Sequence, residues 1–316
     1  MDENFTATEY ADEVIQDVTN GLVFIVSMAG MVLNITTVLA LVHLPWSSKP
    51  NLRLVLSLCV ANFIFSLNFF IYMITYYSNP SGSGYVSTCL LFEVLKCVIY
   101  LYIYFNIVSI VLDLYLAVTN PLGYASIVTT GRTNKLLVIN AFISILIASL
   151  TIVFNYVTLP DSNSVQTHEN SCSIYSEFFY IRSFNWIFKV SIFISIPVLI
   201  VLLIIIFLAV KATNSSANRR QPSNTRGVIN VMLVVFCFLV CFGPYQFISF
   251  YIQESPNRNR SFLITAKFLD RLYYVNAFFS PLIYSTRMSD VKKGYTLLFK
   301  KCVSAASDYQ SVFTGD

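Results

Sequence analysis

Residues 21–44 read GLVFIVSMAGMVLNITTVLALVHL and contain no Asp, Glu, Lys or Arg. An α-helix needs about 20 apolar residues to cross the hydrocarbon core of a bilayer, so this stretch is long enough to span a membrane. Six more predominantly apolar stretches follow, at residues 54–77, 90–118, 136–157, 184–210, 228–252 and 262–286. Lipid offers a backbone no hydrogen-bond partner outside its own helix. The sequence therefore predicts an all-α membrane protein, a bundle of seven transmembrane helices.

The composition supports a single membrane-embedded domain. The chain is 56% hydrophobic and 11% charged, whereas soluble proteins carry about 25% charged residues. A large soluble helical bundle is therefore disfavoured. We expect an N-terminal tail over residues 1–20, a seven-helix domain over 21–287, and a short amphipathic helix with a cytoplasmic tail over 288–316.

The distribution of charge predicts which side of the membrane each connection faces. Residues 1–20 contain six acidic residues and no Lys or Arg. Thirteen of the 20 basic residues follow the first, third and fifth stretches or lie in the C-terminal tail: Lys49, Arg53, Arg132, Lys135, Lys211, Arg219, Arg220, Arg226, Arg287, Lys292, Lys293, Lys300 and Lys301. By the positive-inside rule, these segments are cytoplasmic and the N-terminus is outside, as in a multi-pass protein of the plasma membrane.

Two kinds of extracellular modification follow from this orientation. The sequons that begin at Asn4 and Asn259 lie outside, which predicts glycosylation of both residues. Of the seven cysteines, only Cys89 and Cys172 have outside positions. Because the outside is oxidising, we expect a disulfide between them, with two unpaired thiols as the alternative.

The segment after the last stretch is amphipathic. Residues 290–299 combine Lys292 and Lys293 with apolar residues, which predicts a short eighth helix lying on the membrane surface with its lysines against anionic lipid. Cys302 follows two further lysines just past the last span. This context suits palmitoylation of its thiol.

Three short motifs lie in the third, sixth and seventh stretches: residues 113–115 read DLY, residues 238–245 read FLVCFGPY, and residues 280–284 read SPLIY. They are similar to the D-R-Y, F-x-x-C-W-x-P-Y and N-P-x-x-Y of the rhodopsin-like (class A) G-protein-coupled receptors. Asn34 and Pro197 match further positions of that family in the first and fifth helices. The resemblance covers nearly the whole chain.

The resemblance implies an activation switch built from these motifs. A proline removes an intrahelical hydrogen bond and kinks its helix, so Pro244 and Pro281 are expected to hinge the sixth and seventh helices. Movement of the sixth helix opens a cytoplasmic cleft to a G protein in the family. The expected switch residues are Asp113, Leu114, Tyr115, Phe238, Phe242, Pro244, Ser280, Pro281 and Tyr284.

Besides Phe242, which stands in place of the family's tryptophan, four residues depart from the family pattern. Leu114 replaces the arginine that, in the family, locks the resting state and contacts the G protein. Asn62 and Ser280 replace two groups that help to hold a sodium ion there, and Ile205 stands where a tyrosine often supports the active state. The resemblance therefore implies no sodium-linked resting state, together with altered G-protein coupling or raised basal activity.

Two segments favour one branch of the family. Residues 121–129, PLGYASIVT, and residues 283–292, IYSTRMSDVK, are similar to the P-L-x-Y-x-x-I-M-T and I-Y-S-L-R-N-x-D-V-K of odorant receptors. The P-M-Y-x-F-L and K-A-x-x-T-C-x-S-H signatures of that branch are missing. A divergent odorant-type chemoreceptor is the leading interpretation, and a receptor for a peptide, a lipid or a small acid is the alternative.

Ionisable residues within the spans mark the expected ligand pocket, because charges in a membrane are costly and usually functional. Lys96 and Lys189 favour a ligand with an acidic group, and Asp270 would bind the amine of a zwitterion. In the alternative interpretation, Asp270 or Glu93 neutralises Lys96, which then contacts no ligand. The expected pocket residues are Lys96, Tyr100, Lys189, Tyr245, Gln246, Ser249, Asp270 and Tyr274.

The sequence thus predicts a chemoreceptor that binds a small extracellular ligand and activates a heterotrimeric G protein. Membrane lipid and, by resemblance, arrestin are further expected partners. A decoy that binds without signalling is the competing function, motivated by Leu114, and a transporter is disfavoured because no inverted repeat is found. No catalytic arrangement, metal-ligand spacing or nucleic-acid footprint is recognised, so no enzyme activity, cofactor, metal or nucleic acid is expected.

Overall fold

The computed structural model describes residues 7–42, 44, 49–78, 85–158, 196–209, 211, 222–254 and 260–314, and no β-strand occurs among them. In chain order the helices are α1 Ala7–Val42, α2 Pro50–Ser78, α3 Tyr85–Thr119, α4 Tyr124–Ile127, α5 Thr130–Thr158, α6 Ile196–Ala209, α7 Pro222–Glu254, α8 Arg260–Arg287 and α9 Ser289–Thr314. All the described helices except α4 and α9 coincide with the seven predicted stretches. The all-α class is therefore confirmed.

The outer surface of the bundle is apolar. By length and composition, α1, α2, α3 and α5 each contain a segment able to cross a membrane, and α6 and α7 contain shorter apolar segments. Large apolar side chains such as Val32, Phe142 and Phe236 are exposed. In lipid such exposure costs nothing, because the surrounding hydrocarbon is as apolar as the side chain.

α3 lies in the middle of the bundle. Its spanning segment is 67% buried, compared with 28% for the segment of α1 and 22% for that of α5. α3 contacts α2, α5 and α7. A change at one end of α3 can therefore reach several other helices.

Two helices are longer than predicted. α1 begins at Ala7 rather than near residue 21, and α9 continues to Thr314 rather than ending near residue 299. The apolar spanning segment begins only at Asp17, so the first turns of α1 extend beyond it.

Side-chain amides join neighbouring helices inside the bundle. Asn34 Nδ2 donates to the carbonyl oxygens of Gly30 on its own helix and of Ala277 on α8, both at 2.8 Å. Asn106 Nδ2 of α3 donates to Ser57 Oγ of α2 at 2.9 Å. Such bonds between membrane helices contribute about 0.6 kcal/mol each, so they fix the orientation of the helices more than they stabilise them.

α9 packs across the end of α1. The Tyr295 hydroxyl lies 2.7 Å from Thr37 Oγ1. A Cβ at Gly294 would lie 2.5 Å from the carbonyl oxygen of Ala40, so only glycine allows this approach of the two backbones. We call this end of the bundle the α9 end, and the opposite end, where α1 begins, the amino-terminal end.

Candidate functional site

An ion-pair network lies at the amino-terminal end. The Oδ1 atom of Asp270 on α8 is 3.8 Å from Lys96 Nζ on α3, and its Oδ2 atom is 3.2 Å from a guanidinium nitrogen of Arg271. Arg271 Nε also donates to Asn20 Oδ1 of α1 at 2.9 Å. One carboxylate thus links α3 to α8, and the adjoining arginine extends the link to α1. We refer to these four residues as the ion-pair network.

The network brings together two predicted pocket residues, Lys96 and Asp270, whose side chains are 8% and 15% exposed. Their separation exceeds the length of a charge-assisted hydrogen bond, about 2.7–2.9 Å. Asp270 Oδ1 accepts no hydrogen bond from any residue that the structure describes. This geometry agrees with the interpretation in which Asp270 neutralises Lys96, and a direct contact between Lys96 and a ligand stays a prediction.

Aromatic rings fill the bundle one turn further along α3. Tyr100 is buried and stacks with Tyr273 of α8, with 5.4 Å between ring centroids. Tyr100 also contacts Phe242 at 4.8 Å, and Phe242 contacts Phe238 on the same face of α7 at 4.4 Å. One predicted pocket residue and two predicted switch residues therefore belong to a single group. We call Tyr100, Phe238, Phe242 and Tyr273 the aromatic cluster.

Tyr274 contacts α2. Its buried ring stacks on Phe69 at 4.0 Å and on Phe65 at 4.8 Å. Sequence reasoning missed Phe65, Phe69 and Tyr273, because a stretch that is apolar on every side has no periodicity to identify its inward face.

Some predicted site residues receive no structural description. Asn4, Cys172, Lys189 and Asn259 lie outside the described residues. Cys89 is in α3, and Tyr245, Gln246 and Ser249 are in α7, but only their backbone is described. Glycosylation, the Cys89–Cys172 disulfide and the ligand contacts of these residues stay predictions.

The middle of the bundle is polar but uncharged at two family positions. Asn62 and Ser280 are both fully buried. Neither polar atom of the Asn62 side chain has a hydrogen-bond partner among the described residues. Oxygen ligands bind hard cations best when some of them are carboxylates, and these two side chains are neutral. The absence of a sodium-linked resting state therefore stays a prediction.

Metal-ligating side chains do not cluster elsewhere in the described residues. No group of three or more His, Cys, Asp or Glu residues lies close enough there to hold a metal ion.

A cleft of ≈ 510 Å³ opens at the α9 end. Its walls come from α2, α3, α7, α8 and the start of α9, and they include Asp113, Leu114, Val231, Tyr284 and Arg287. Three predicted switch residues, Asp113, Leu114 and Tyr284, therefore line one cavity. Leu114 gives the α3 wall an apolar surface where the family has a cation.

The connection between α3 and α5 is held against α3. The Tyr124 hydroxyl donates to Asp113 Oδ1 at 2.8 Å. The Arg132 guanidinium donates to the carbonyl oxygens of Ser126 and Ile127, both at 2.9 Å. Burial and the hydrogen bond to Asp113 raise the pKa of Tyr124, so this phenol keeps its proton at neutral pH. Asp113 thus uses a loop tyrosine as its partner.

The remaining switch residues lie within helices. Pro244 lies within α7 and Pro281 within α8. Tyr115 is partly buried and packs against the core. The hinges at the two prolines stay predictions.

Leu122 is an exposed apolar residue that sequence reasoning did not select. It lies at the tip of the connection between α3 and α4, beyond the apolar spanning segment, and is 99% exposed. The sequence feature that could have identified Leu122 is an apolar residue in a short connection that otherwise carries turn-forming residues.

The outer surface of α9 combines charge with apolar groups. Lys292, Lys293, Phe299 and Val303 are exposed, and Cys302 has an exposed free thiol. Contact with membrane lipid and palmitoylation of Cys302 stay predictions.

Comparison with known protein families identifies the architecture. A family model described as 7 transmembrane receptor (rhodopsin family) matches residues 18–284, from the first spanning segment to Tyr284 in the wall of the cleft. No curated protein matches the chain. The family match covers most of the chain and agrees with the motifs at residues 113–115, 238–245 and 280–284. The protein is a multi-pass membrane protein, and it belongs to the rhodopsin family of seven-transmembrane receptors.

Proposed function

We propose that the protein is a receptor of the plasma membrane, with its N-terminus outside, which binds a small ligand at the amino-terminal end and activates a heterotrimeric G protein at the α9 end. The observation that carries this proposal is the course of α3. This central helix contributes Lys96 to the ion-pair network, Tyr100 to the aromatic cluster, and Asp113 and Leu114 to the wall of the cleft. It therefore contacts both proposed sites directly.

The chemistry of the amino-terminal end supports a small acidic or zwitterionic ligand. Charged side chains inside a membrane bundle usually mark a functional site. Lys96 and Asp270 present opposite charges at 3.8 Å. The similarity of residues 121–129 and 283–292 to odorant receptors favours a chemosensory role, and a peptide or lipid receptor is the alternative.

The α9 end supports a protein partner. The cleft is bordered by a connection whose apolar tip, Leu122, is 99% exposed. The hydrogen bond from Tyr124 to Asp113 holds this connection against the wall of the cleft. An exposed apolar side chain beside a cavity is the kind of feature that protein interfaces bury.

Leu114 favours a second candidate function, which is ligand binding without signalling. In the cleft, Leu114 supplies no positive charge to a partner. A decoy receptor would need the amino-terminal site and would not need the contact with a G protein.

Sensors of G-protein activation separate the two functions. The full chain is expressed in cells with a panel of sensors, and an antibody against an N-terminal epitope on intact cells measures surface level and orientation. We expect the wild type to activate at least one sensor above the signal of mock-transfected cells. Wild type and variants are compared at equal surface level. Leu114→Arg and Leu114→Gln form a matched pair, because they separate the effect of positive charge from the loss of the leucine. A silent wild type that signals only as Leu114→Arg would instead support the decoy.

A further inference from the structure

The two carboxylate oxygens of Asp270 differ, because Oδ2 pairs with an arginine and Oδ1 accepts no hydrogen bond from a described residue. Its Oδ2 is 3.2 Å from Arg271, whose Nε is held in turn by Asn20. Its Oδ1 is buried and accepts no hydrogen bond from any described residue. A buried anionic oxygen without a donor is unfavourable, so this site calls for a group that carries N–H or O–H donors. Because Arg271 fixes Oδ2, the direction of Oδ1 is fixed as well.

Lys96 presents the opposite chemistry beside this oxygen. Its ammonium group carries three donors and no acceptor, and its Nζ is 3.8 Å from Asp270 Oδ1. At this distance the two charges attract each other without sharing a hydrogen bond. A ligand that offers an acceptor to Lys96 and a donor to Asp270 would contact both groups at once.

A ligand with a single charge would pair with only one of these two groups. A simple acid would pair with Lys96 and place its carboxylate close to that of Asp270, and a simple amine would pair with Asp270 close to the ammonium of Lys96. Like charges at such short distances repel, and burial strengthens the repulsion. A zwitterion avoids it, because its ammonium faces Asp270 and its carboxylate faces Lys96, while Arg271 is already paired with Oδ2 of Asp270.

The separation of the two protein groups selects the separation of the two ligand charges. In an α-amino acid the ammonium and carboxylate groups are attached to the same carbon, so their charges are as close to each other as those of Lys96 and Asp270. Longer zwitterions hold their charges further apart, and the ion pair would have to open to receive them.

We infer that the ligand is a compact zwitterion of the α-amino-acid type, whose ammonium binds Asp270 Oδ1 and whose carboxylate binds Lys96. This inference rests on the proposed function, because it takes the amino-terminal end as the ligand site. The aromatic cluster begins one turn further along α3 with Tyr100. An aromatic or apolar ligand side chain therefore suits the adjoining surface.

Binding to the purified full chain in nanodiscs tests the inference without any G protein. The probes each carry one phenyl ring: phenylalanine, 3-phenylpropanoate as the matched acid, 2-phenylethylamine as the matched amine, and 4-amino-3-phenylbutanoate as a longer zwitterion. We expect phenylalanine to raise the Tm saturably, and each other probe to need at least tenfold higher concentration. Equal or stronger stabilisation by the acid, the amine or the longer zwitterion would overturn the inference. So would a lack of stabilisation by all 20 standard amino acids.

Variants connect the binding to the two charged groups. Asp270→Asn and Lys96→Gln should each weaken binding of the amino acid at least tenfold, whereas Asp17→Asn, an equal change of charge on exposed α1, should not. If Lys96→Gln does not fold, Lys96→Arg keeps the positive charge and leaves the pair of Asp270 with Arg271 in place, so it should retain binding. Unchanged binding in Asp270→Asn and Lys96→Gln would show that the zwitterion binds elsewhere.

The two proposals fail in different ways. Amino acid binding without activation of any G-protein sensor would leave this inference intact and remove the signalling function. Activation by acids alone would keep the receptor function and overturn the zwitterion.

Discussion

The candidate sites at the two ends of the bundle present different surfaces. At the amino-terminal end, α1, α3 and α8 are joined by the charged and polar side chains of the ion-pair network. At the α9 end, Leu114 of α3 and Val231 of α7 line the cleft with apolar surface. In the family pattern, α3 carries an arginine at the position of Leu114. In this chain, the cation that α3 carries is Lys96, which lies at the amino-terminal end. Recognition in this receptor should thus depend on the charge of a ligand, and transmission on the fit of apolar surfaces.

The largest effect is expected from an apolar side chain at the α9 end. Leu122→Ala should lower G-protein activation about tenfold or more, because a leucine that is buried only in the complex contributes there as an interface anchor. Nucleotide exchange on a purified G protein measures this. The control is Ile127→Ala in the same connection, where the side chain is only 37% exposed and the effect should be smaller. Equal activation by wild type and Leu122→Ala would remove the loop from the interface.

The contact between α9 and α1 depends on a close approach of the two helix backbones, which a substitution of Gly294 can test. Gly294→Ala should destabilise the protein by about 1–3 kcal/mol, because the new Cβ would overlap the carbonyl of Ala40. Gly21→Ala is the matched control, since no described atom beyond its own helix backbone lies within 4 Å of the position that an added Cβ would take. Alanine also favours a helix over glycine by about 1 kcal/mol. Thermal unfolding in nanodiscs compares the two. If both substitutions stabilise the chain, the close approach of α9 is wrong.

One ion pair at each end allows the effects of burial and of distance on the coupling energy to be compared. Lys96 and Asp270 are 3.8 Å apart and nearly buried, whereas Lys49 and Asp290 at the α9 end are 2.8 Å apart but 48% and 25% exposed. We expect double-mutant cycles with Lys→Gln and Asp→Asn to give about 1 kcal/mol of coupling for the first pair and below about 0.5 kcal/mol for the second. The reverse order would mean that distance outweighs burial, and that the amino-terminal end is not the more electrostatic one.

The smallest effect is expected from sodium, which should not change ligand affinity. Asn62 and Ser280 are neutral, so replacing sodium chloride by choline chloride at equal concentration should leave binding within about twofold. Asn62→Asp adds the missing carboxylate and should introduce a dependence on sodium. A strong sodium effect in the wild type would place a cation site elsewhere in the bundle.

The sequence predicted the helices better than it predicted their inward faces. Length and hydropathy identify a span directly, and the family motifs located Leu114, Phe242 and Tyr284. The partners of these residues were harder to find, since Tyr273 is one apolar residue among many. The start of α1 at Ala7 was missed because hydropathy marks the membrane boundary and not the end of the helix.

The ion-pair network was only partly predictable for a related reason. Lys96 and Asp270 are conspicuous as charges in apolar stretches, and their pairing was one of two interpretations. Asn20 directly precedes the first predicted stretch, where polar residues are common and carry little information. Arg271 lies beside Asp270 in the seventh stretch, but its charge alone did not indicate a partner on α1. Only the three-dimensional packing of α1 against α8 brings them together.

The amide of Asn34 has a consequence for how this receptor experiences its membrane. It bonds α1 to α8 through Ala277, and Tyr295 bonds α9 to the same face of α1, so these three helices should tilt together. The spanning segment of α1 has 26 residues, about 39 Å of helix, which exceeds a hydrocarbon core of about 30 Å. A helix of excess length tilts by an amount that depends on bilayer thickness. Because α8 also carries Tyr284, sterol-rich and sterol-poor membranes are expected to set different resting shapes of the cleft.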